Sequence, residues 1–200
     1  MLEIMGIKIK LCRGVYPPSE DTFLLIDSLM ENVKPGRSFL ELGTGTGIIA
    51  LIMAKLGLNV IATDINIKAI ECARENAQLN KIPIELRRGD LFEPVRNLKF
   101  DYIAFNPPYL PSDSAFDSRL PLDEKLALMG GYMGNEIIMK FLKNIRNFLN
   151  PLGKAFLVFS SLSNFSDVQK VENDLGLRIS IIKEQSFPFE KIFVARVSIL

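Results

Sequence analysis

Ser38-Phe39-Leu40-Glu41-Leu42-Gly43-Thr44-Gly45-Thr46-Gly47-Ile48-Ile49-Ala50 reads as a short apolar strand, a glycine loop and the start of an apolar helix. Glycines belong where a ligand lies against bare backbone and the turn demands unusual φ/ψ. A second strand, Asn59 to Thr63, closes at Asp64, 21 residues after Gly43. An acid at that position can accept from both hydroxyls of a ribose. The set suits an adenosine-containing ligand at the carboxyl ends of the first strands. Gly45 to Ala50 also fits GxGxxA, the dinucleotide fingerprint. On this loop alone, methyl-donor binding, nicotinamide binding and a plain glycine turn all stay open.

Outward from the loop, strands and helices alternate. Upstream, Ile4 to Leu11 reads as an edge strand or arm. Ser19 caps a helix reaching about Glu31 and burying Phe23, Ile26 and Leu29 or Met30. Downstream, Asn66 caps a helix to Leu79, Ile82 to Arg88 is a third strand and Asp101 to Phe105 a fourth. The apolar spacing from Ile137 to Leu149 is helical, and strand Lys154 to Phe159 follows. Val168, Val171 and Leu175 mark a last helix, and Leu177 to Lys183 with Ile192 to Ile199 an antiparallel pair. This alternation predicts an α/β fold: a doubly wound, mostly parallel, seven-stranded sheet with helices on both faces. One domain over residues 1–200 is expected, with 1–35 as N-terminal arm and helix. Residues 110–134 are too polar and Pro/Gly-punctuated for a core element and read as a substrate loop.

Composition removes whole classes of chemistry. The 200 residues include no histidine, which excludes Ser-His-Asp and Cys-His catalysis and His-ligated zinc. Cys12 and Cys72 sit in no CxxC, read as simple thiols suited to a reducing cytoplasm, and leave no metal site expected. Glu3, Lys8, Lys10 and Arg13 break up any signal-peptide core, and no apolar run approaches a membrane span. A net charge of +1 argues against a basic nucleic-acid binder.

The specific signal is Asn106-Pro107-Pro108-Tyr109, leaving the fourth strand. Pro107 has no N–H, and Pro108 biases it to an extended ψ, so the Pro107 carbonyl can point rigidly into a site. The Asn106 oxygen is a second fixed acceptor, and Tyr109 an aromatic face. Two acceptors and a stacking surface suit a planar NH₂ group. Asp90, closing the third strand, can accept from an adenine amino group, with Leu91 against the ring. Gly130-Gly131 and Gly134 read equally as a pivot for the substrate loop or a simple turn before the helix.

Val15-Tyr16-Pro17-Pro18-Ser19-Glu20-Asp21-Thr22-Phe23, the Glu41–Gly47 loop, Thr63-Asp64-Ile65-Asn66 and the NPPY segment together resemble the HemK/PrmC family, from about Val15 to Phe159. Gly130-Gly131-x-x-Gly134-x-Glu136 matches as well. The family is made of S-adenosylmethionine-dependent glutamine N5-methyltransferases of release factors. Its bacterial members carry a helical domain before the glycine loop. Only 42 residues precede Gly43 here, so the expectation is the short archaeal/eukaryotic branch. That branch modifies the GGQ glutamine of a class-1 release factor in the cytoplasm. The resemblance implies cofactor contacts from Thr22, Glu41, Gly43, Gly45, Asp64, Asp90, Leu91 and Asn106. Asn106, Pro107 and Tyr109 are the expected catalytic residues, and Pro108 joins them in holding the substrate. The eukaryotic members work with a small zinc-binding activator, which covers apolar surface beside the third strand.

Three rivals stand beside this expectation. A nucleic-acid methyltransferase acting on adenine-N6 or guanine-N2 can also use NPPY, but Arg13, Arg87 and Arg88 make no convincing groove. A protein lysine methyltransferase is the second, because the resemblance extends to a family member that acts on a histone lysine. A nicotinamide oxidoreductase, from a different class, would not need NPPY.

Overall fold

The computed structural model describes residues 1–112, 121, 125, 127–163 and 170–200. The expected arm is a hairpin with its own two-stranded sheet, β1 (Leu2–Ile4) and β2 (Ile7–Ile9). Met5 and Gly6 both take positive φ between them, as a tight two-residue hairpin turn requires. The chain then crosses α3 (Ile67–Asn80), where Lys8 N–H donates to Asn80 Oδ1 (2.8 Å) and Lys10 N–H to Asn76 Oδ1 (2.8 Å). That crossing corrects the expectation of two simple thiols. Cys12 and Cys72 meet at a Cα separation of 6.0 Å and form a disulfide across 60 residues of sequence.

Helix α1 (Glu20–Asn32) buries Leu24, Leu25, Ile26 and Leu29, whereas Phe23 and Met30 face outward at 41% and 39% exposure. Phe23 lies two residues before Leu25, about 200° around the helix from that buried side. Thr22 Oγ1 accepts from Ser19 N–H (3.3 Å), and the Ser19 hydroxyl is turned to Glu20.

The main sheet contains β3 (Ser38–Leu42), β4 (Asn59–Asp64), β5 (Glu85–Arg88), β6 (Phe100–Phe105), β7 (Leu149–Ser160), β8 (Leu177–Ser186) and β9 (Lys191–Ile199). Their order is β5-β4-β3-β6-β7-β9-β8. The first five are parallel, and β9 lies antiparallel between β7 and β8. The third strand is shorter than expected: Ile82 and Ile84 pack against the core before β5 begins. Helix α2 (Ile48–Lys55) and α1 share one core with Ile7 and Ile9. Helix α4 (Glu136–Ile145) packs on the other face, where Phe92 stacks on Phe148 at 4.2 Å between ring centroids. Helical spacing carried α4 too far. Phe148 falls in the turn after it, and Leu149 already pairs with Phe100 in β7. Of the last expected helix, Val168 lies outside the described residues and the chain from Val171 to Gly176 is turn.

Strand order reverses between β3 and β6. Chains leaving β3, β4, β5 and β6 therefore converge at one edge, the place where such sheets bind ligands.

Candidate active site

The loop after β3 holds Gly43, Gly45 and Gly47 at φ +67°, +54° and +84°. Gly47 precedes α2 and lies so close to α3 that a Cβ on it would sit 2.9 Å from Ala73 Cβ. A glycine offers α2 no capping side chain, and Glu41 supplies the missing acceptor from below. Its Oε2 accepts from Ala50 N–H (3.1 Å) and Thr44 Oγ1–H (2.6 Å). Burial pushes the Glu41 carboxyl up to about 8, so it is neutral at pH 7. Glu41 thus forms the floor of the loop, with Oε2 already committed to it. Above, a Cβ on Gly43 or Gly45 would approach no neighbouring atom closer than 3.6 Å, leaving an open cradle.

Asp64 stands at the end of β4. Its Oδ2 accepts from Gly45 N–H (3.0 Å) and its Oδ1 from Asn66 N–H (2.8 Å). Burial raises its pKa. Each carboxylate oxygen keeps a second lone pair for a ligand hydroxyl. Asn66 Nδ2 donates to Gly14 O (2.9 Å), tying the arm to the rim. Past β5, Leu91 takes φ +45°, and Asp90 is half-exposed with Lys140 Nζ at 3.5 Å.

Beyond β6, Asn106 Oδ1 is the one buried side-chain oxygen or nitrogen without a hydrogen-bond partner among the described residues. Leaving a buried amide oxygen unpaired costs about 1–3 kcal/mol. Such an atom points to a ligand donor. Tyr109 Oη–H donates to Asp21 Oδ2 (3.2 Å). Asp21 is 4% exposed, and its Oδ1 accepts from Thr22 N–H (2.6 Å) and Thr22 Oγ1–H (3.1 Å). Burial and the nearby Asp21 and Glu190 hold the Tyr109 phenol well above its usual range, so it stays neutral.

These groups surround one cavity of about 520 Å³. Thr22, Glu41, Gly43, Gly45, Asp64, Asp90 and Leu91 all line it, as do Asn106, Pro107, Pro108 and Tyr109. Every site residue expected from sequence is therefore brought together. Three others complete the wall: Tyr16 from the arm, Asp21 from α1 and Glu190 from the β8–β9 turn. Asp21 reads locally as a favourable first-turn acid, and no local pattern distinguishes Glu190. Its Oε2 accepts from Ser160 Oγ–H (2.6 Å), 30 residues away. The described lining carries Asp21, Asp64, Asp90 and Glu190, with Glu41 neutral, against a single base, Lys125. A polyphosphate chain would be repelled there. Asp113, Asp117, Arg119, Asp123 and Glu124 of the expected substrate loop lie outside the described residues. Among the described residues no helix is long and apolar enough to cross a membrane, and no cluster is placed to hold a metal ion.

The methyltransferase small domain family matches residues 17–118, just over half the chain. A Methanocaldococcus jannaschii protein provisionally named as a protein N5-glutamine methyltransferase is 40% identical, across 97% of this chain and 96% of its own. The release factor glutamine methyltransferase of Aquifex aeolicus is 33% identical, across 97% of this chain and 71% of its own. Among solved structures, a chain of the E. cuniculi Mtq2–Trm112 complex superposes with a TM-score of 0.73 at 27% identity. The match covers 94% of this chain and 99% of that one, and the complex is described as responsible for methylating the translation termination factor eRF1.

Proposed function

The chain belongs to the protein-glutamine N5-methyltransferases of the methyltransferase small domain family, and from that premise we propose how it methylates the GGQ glutamine of a class-1 release factor. The observation that carries the reading is the unpaired Asn106 Oδ1, set in the same cavity as the glycine loop and Asp64. S-adenosylmethionine is the cofactor, and the donor set fits it. Asp64 keeps lone pairs for the ribose hydroxyls, Gly43 and Gly45 leave an open cradle, and Asp90 and Leu91 suit the adenine edge and face. Thr22 and the floor residue Glu41 complete that end. When bound, the cofactor supplies a methyl group on a positively charged sulfur, open to in-line displacement.

The remaining work falls to the protein. An amide nitrogen is a poor nucleophile because its lone pair is delocalised. Asn106 Oδ1 and the Pro107 carbonyl accept its two N–H bonds, fix its orientation and stabilise positive charge as it forms there. Pro108 and Tyr109 wall the amide, Tyr109 held by Asp21. Alkylation makes the nitrogen strongly acidic, so its proton leaves without a dedicated base. A chain without histidine can therefore run this reaction.

Two finer assignments belong to the same reading. The segment 110–134 serves as the substrate loop. A small zinc-binding activator covers the β5 edge, where Ile82, Pro83, Ile84 and Leu86 line a shallow groove beside α3. We place the enzyme in the cytoplasm, where release factors act. The test is parallel methyl transfer to intact release factor, its GGQ→GGA variant, and duplex and single-stranded DNA, read by mass spectrometry. The expected result is one methyl on the GGQ glutamine alone. Equal labelling of the GGA variant, or faster labelling of DNA, would reject the reading.

A further inference from the structure

The two prolines of the transfer segment leave it short of donors. Neither Pro107 nor Pro108 has an N–H, so this stretch has no backbone donor of its own between Asn106 and Tyr109 to anchor it. Its position has to be imposed by a neighbour. Leu110 N–H donates to Leu128 O (3.0 Å), Gly130 N–H to Leu110 O (2.9 Å) and Ser112 N–H to Gly131 O (2.8 Å). Leu110 and Met129 form a parallel bridge within this ladder.

Behind the ladder the two backbones touch. A Cβ on Gly130 would lie 2.6 Å from Pro108 O, and one on Gly134 only 2.5 Å from Tyr109 O and 2.9 Å from Pro111 N. Gly134 also holds φ +75°. Real Cβ atoms do not tolerate such approaches to a carbonyl, so only glycine fits either position. The turn is itself locked. Glu136 Oε1 accepts from Met133 N–H (3.0 Å), its Oε2 from Asn135 N–H (3.1 Å), and its own N–H donates to Gly130 O (3.2 Å).

We propose that the Gly130–Glu136 turn is a positioning brace for methyl transfer: it backs the carbonyls of Pro108 and Tyr109 and so sets where Asn106 Oδ1 and the Pro107 carbonyl stand. Gly134 and Glu136 are positioning residues that touch neither substrate nor cofactor. The brace rests on the glutamine reading only through the acceptor used to measure the rate.

Gly134→Ala tests it. The single-turnover rate on release factor should fall about tenfold or more, because small displacements of a reacting geometry are costly. S-adenosylmethionine affinity, measured by calorimetry, should stay within about twofold. Hydrogen exchange at the Tyr109 and Leu110 amides should quicken while the Gly43–Gly47 loop stays as protected as before. Gly57→Ala is the control. Gly57 is also left-handed, at φ +85°, but a Cβ there would meet only Pro35 Cβ at 3.5 Å, remote from the cavity. That variant should lose stability and keep its rate. If Gly134→Ala does not fold, Glu136→Gln replaces it and should show the same split at smaller size. A rate equal to that of Gly57→Ala, or cofactor affinity falling in step with the rate, overturns the brace. Failure of the wild type to label release factor sinks the glutamine reading instead. Exchange then decides alone: unchanged protection at Tyr109 and Leu110 overturns the brace.

Discussion

Raising the pH from 6 to 8 should weaken the fold, and the cause is one buried carboxyl. In most proteins histidines crowd this window, but the chain has none, and its two cysteines are bridged. Glu41, pushed up to about 8 by burial, keeps its proton through most of the window in the folded state. Once unfolded it ionises near the ordinary 4.5. The folded state therefore binds more protons than the unfolded one between these values, and stability falls as pH rises. The full slope for one such group is about 1.4 kcal/mol per pH unit. Because the slope tapers near the folded pKa, the loss from pH 6 to 8 is about 2 kcal/mol. For a chain of this size that lowers Tm by roughly 4–8 °C. Asp64, also raised by burial, acts in the same direction. Glu41→Gln keeps an acceptor for Ala50 and Thr44 but cannot ionise, so most of the slope should vanish. Thermal unfolding followed by circular dichroism at constant ionic strength, without cofactor, reads both proteins. An equal wild-type Tm at pH 6 and 8, or an undiminished slope in Glu41→Gln, refutes the reasoning.

Asn106→Ala should fold normally and slow single-turnover transfer on the order of 10²-fold or more, with a smaller effect on cofactor affinity; near-normal rates would remove Asn106 from the mechanism. Asp64→Ala should weaken S-adenosylmethionine binding by about 1.5–3 kcal/mol per bond removed, seen by calorimetry, and unchanged affinity in a folded variant ends the ribose role. Tyr109→Phe leaves Asp21 Oδ2 without its partner and should cost about 1–3 kcal/mol in denaturant unfolding; an unchanged midpoint says that bond contributes nothing. Opening the Cys12–Cys72 bridge with reductant should lower stability by up to about 4 kcal/mol for a 60-residue loop, and an identical Tm with and without reductant counts against that estimate.

Much of the site was legible because its signals are local. Leu42, Gly43 and Gly47 lie within one strand-loop-helix unit, and Asp64 and Asn106 each terminate a strand whose apolar run is plain. What stayed hidden depends on distance along the chain. Asp21 is an unremarked helix-start acid until Tyr109, 88 residues away, donates to it. Glu190 is an ordinary turn residue until β9 carries it to Ser160. The bridging of Cys12 to Cys72 depends on the arm crossing α3, a packing event that neither cysteine's neighbours encode. Helix lengths failed for a related reason. The helical spacing ran through Leu149, but strand pairing with Phe100 claimed that residue first.

The place of β9 inside the sheet, rather than at its edge, means that the last strand of the chain joins β8 to the rest of the sheet. Among the described residues β8 has no sheet partner other than β9, so its place in the sheet depends on the strand that follows it. The helices behind the cofactor loops lean on the same strand, since Ile192 and Val194 of β9 share the core of α1 and α2. Glu190, carried by the β8–β9 turn, is the described cavity-lining residue furthest along the chain, so part of the wall depends on that hairpin. A change that loosens this hairpin is therefore felt at once in the cavity wall and in the core behind the cofactor loops.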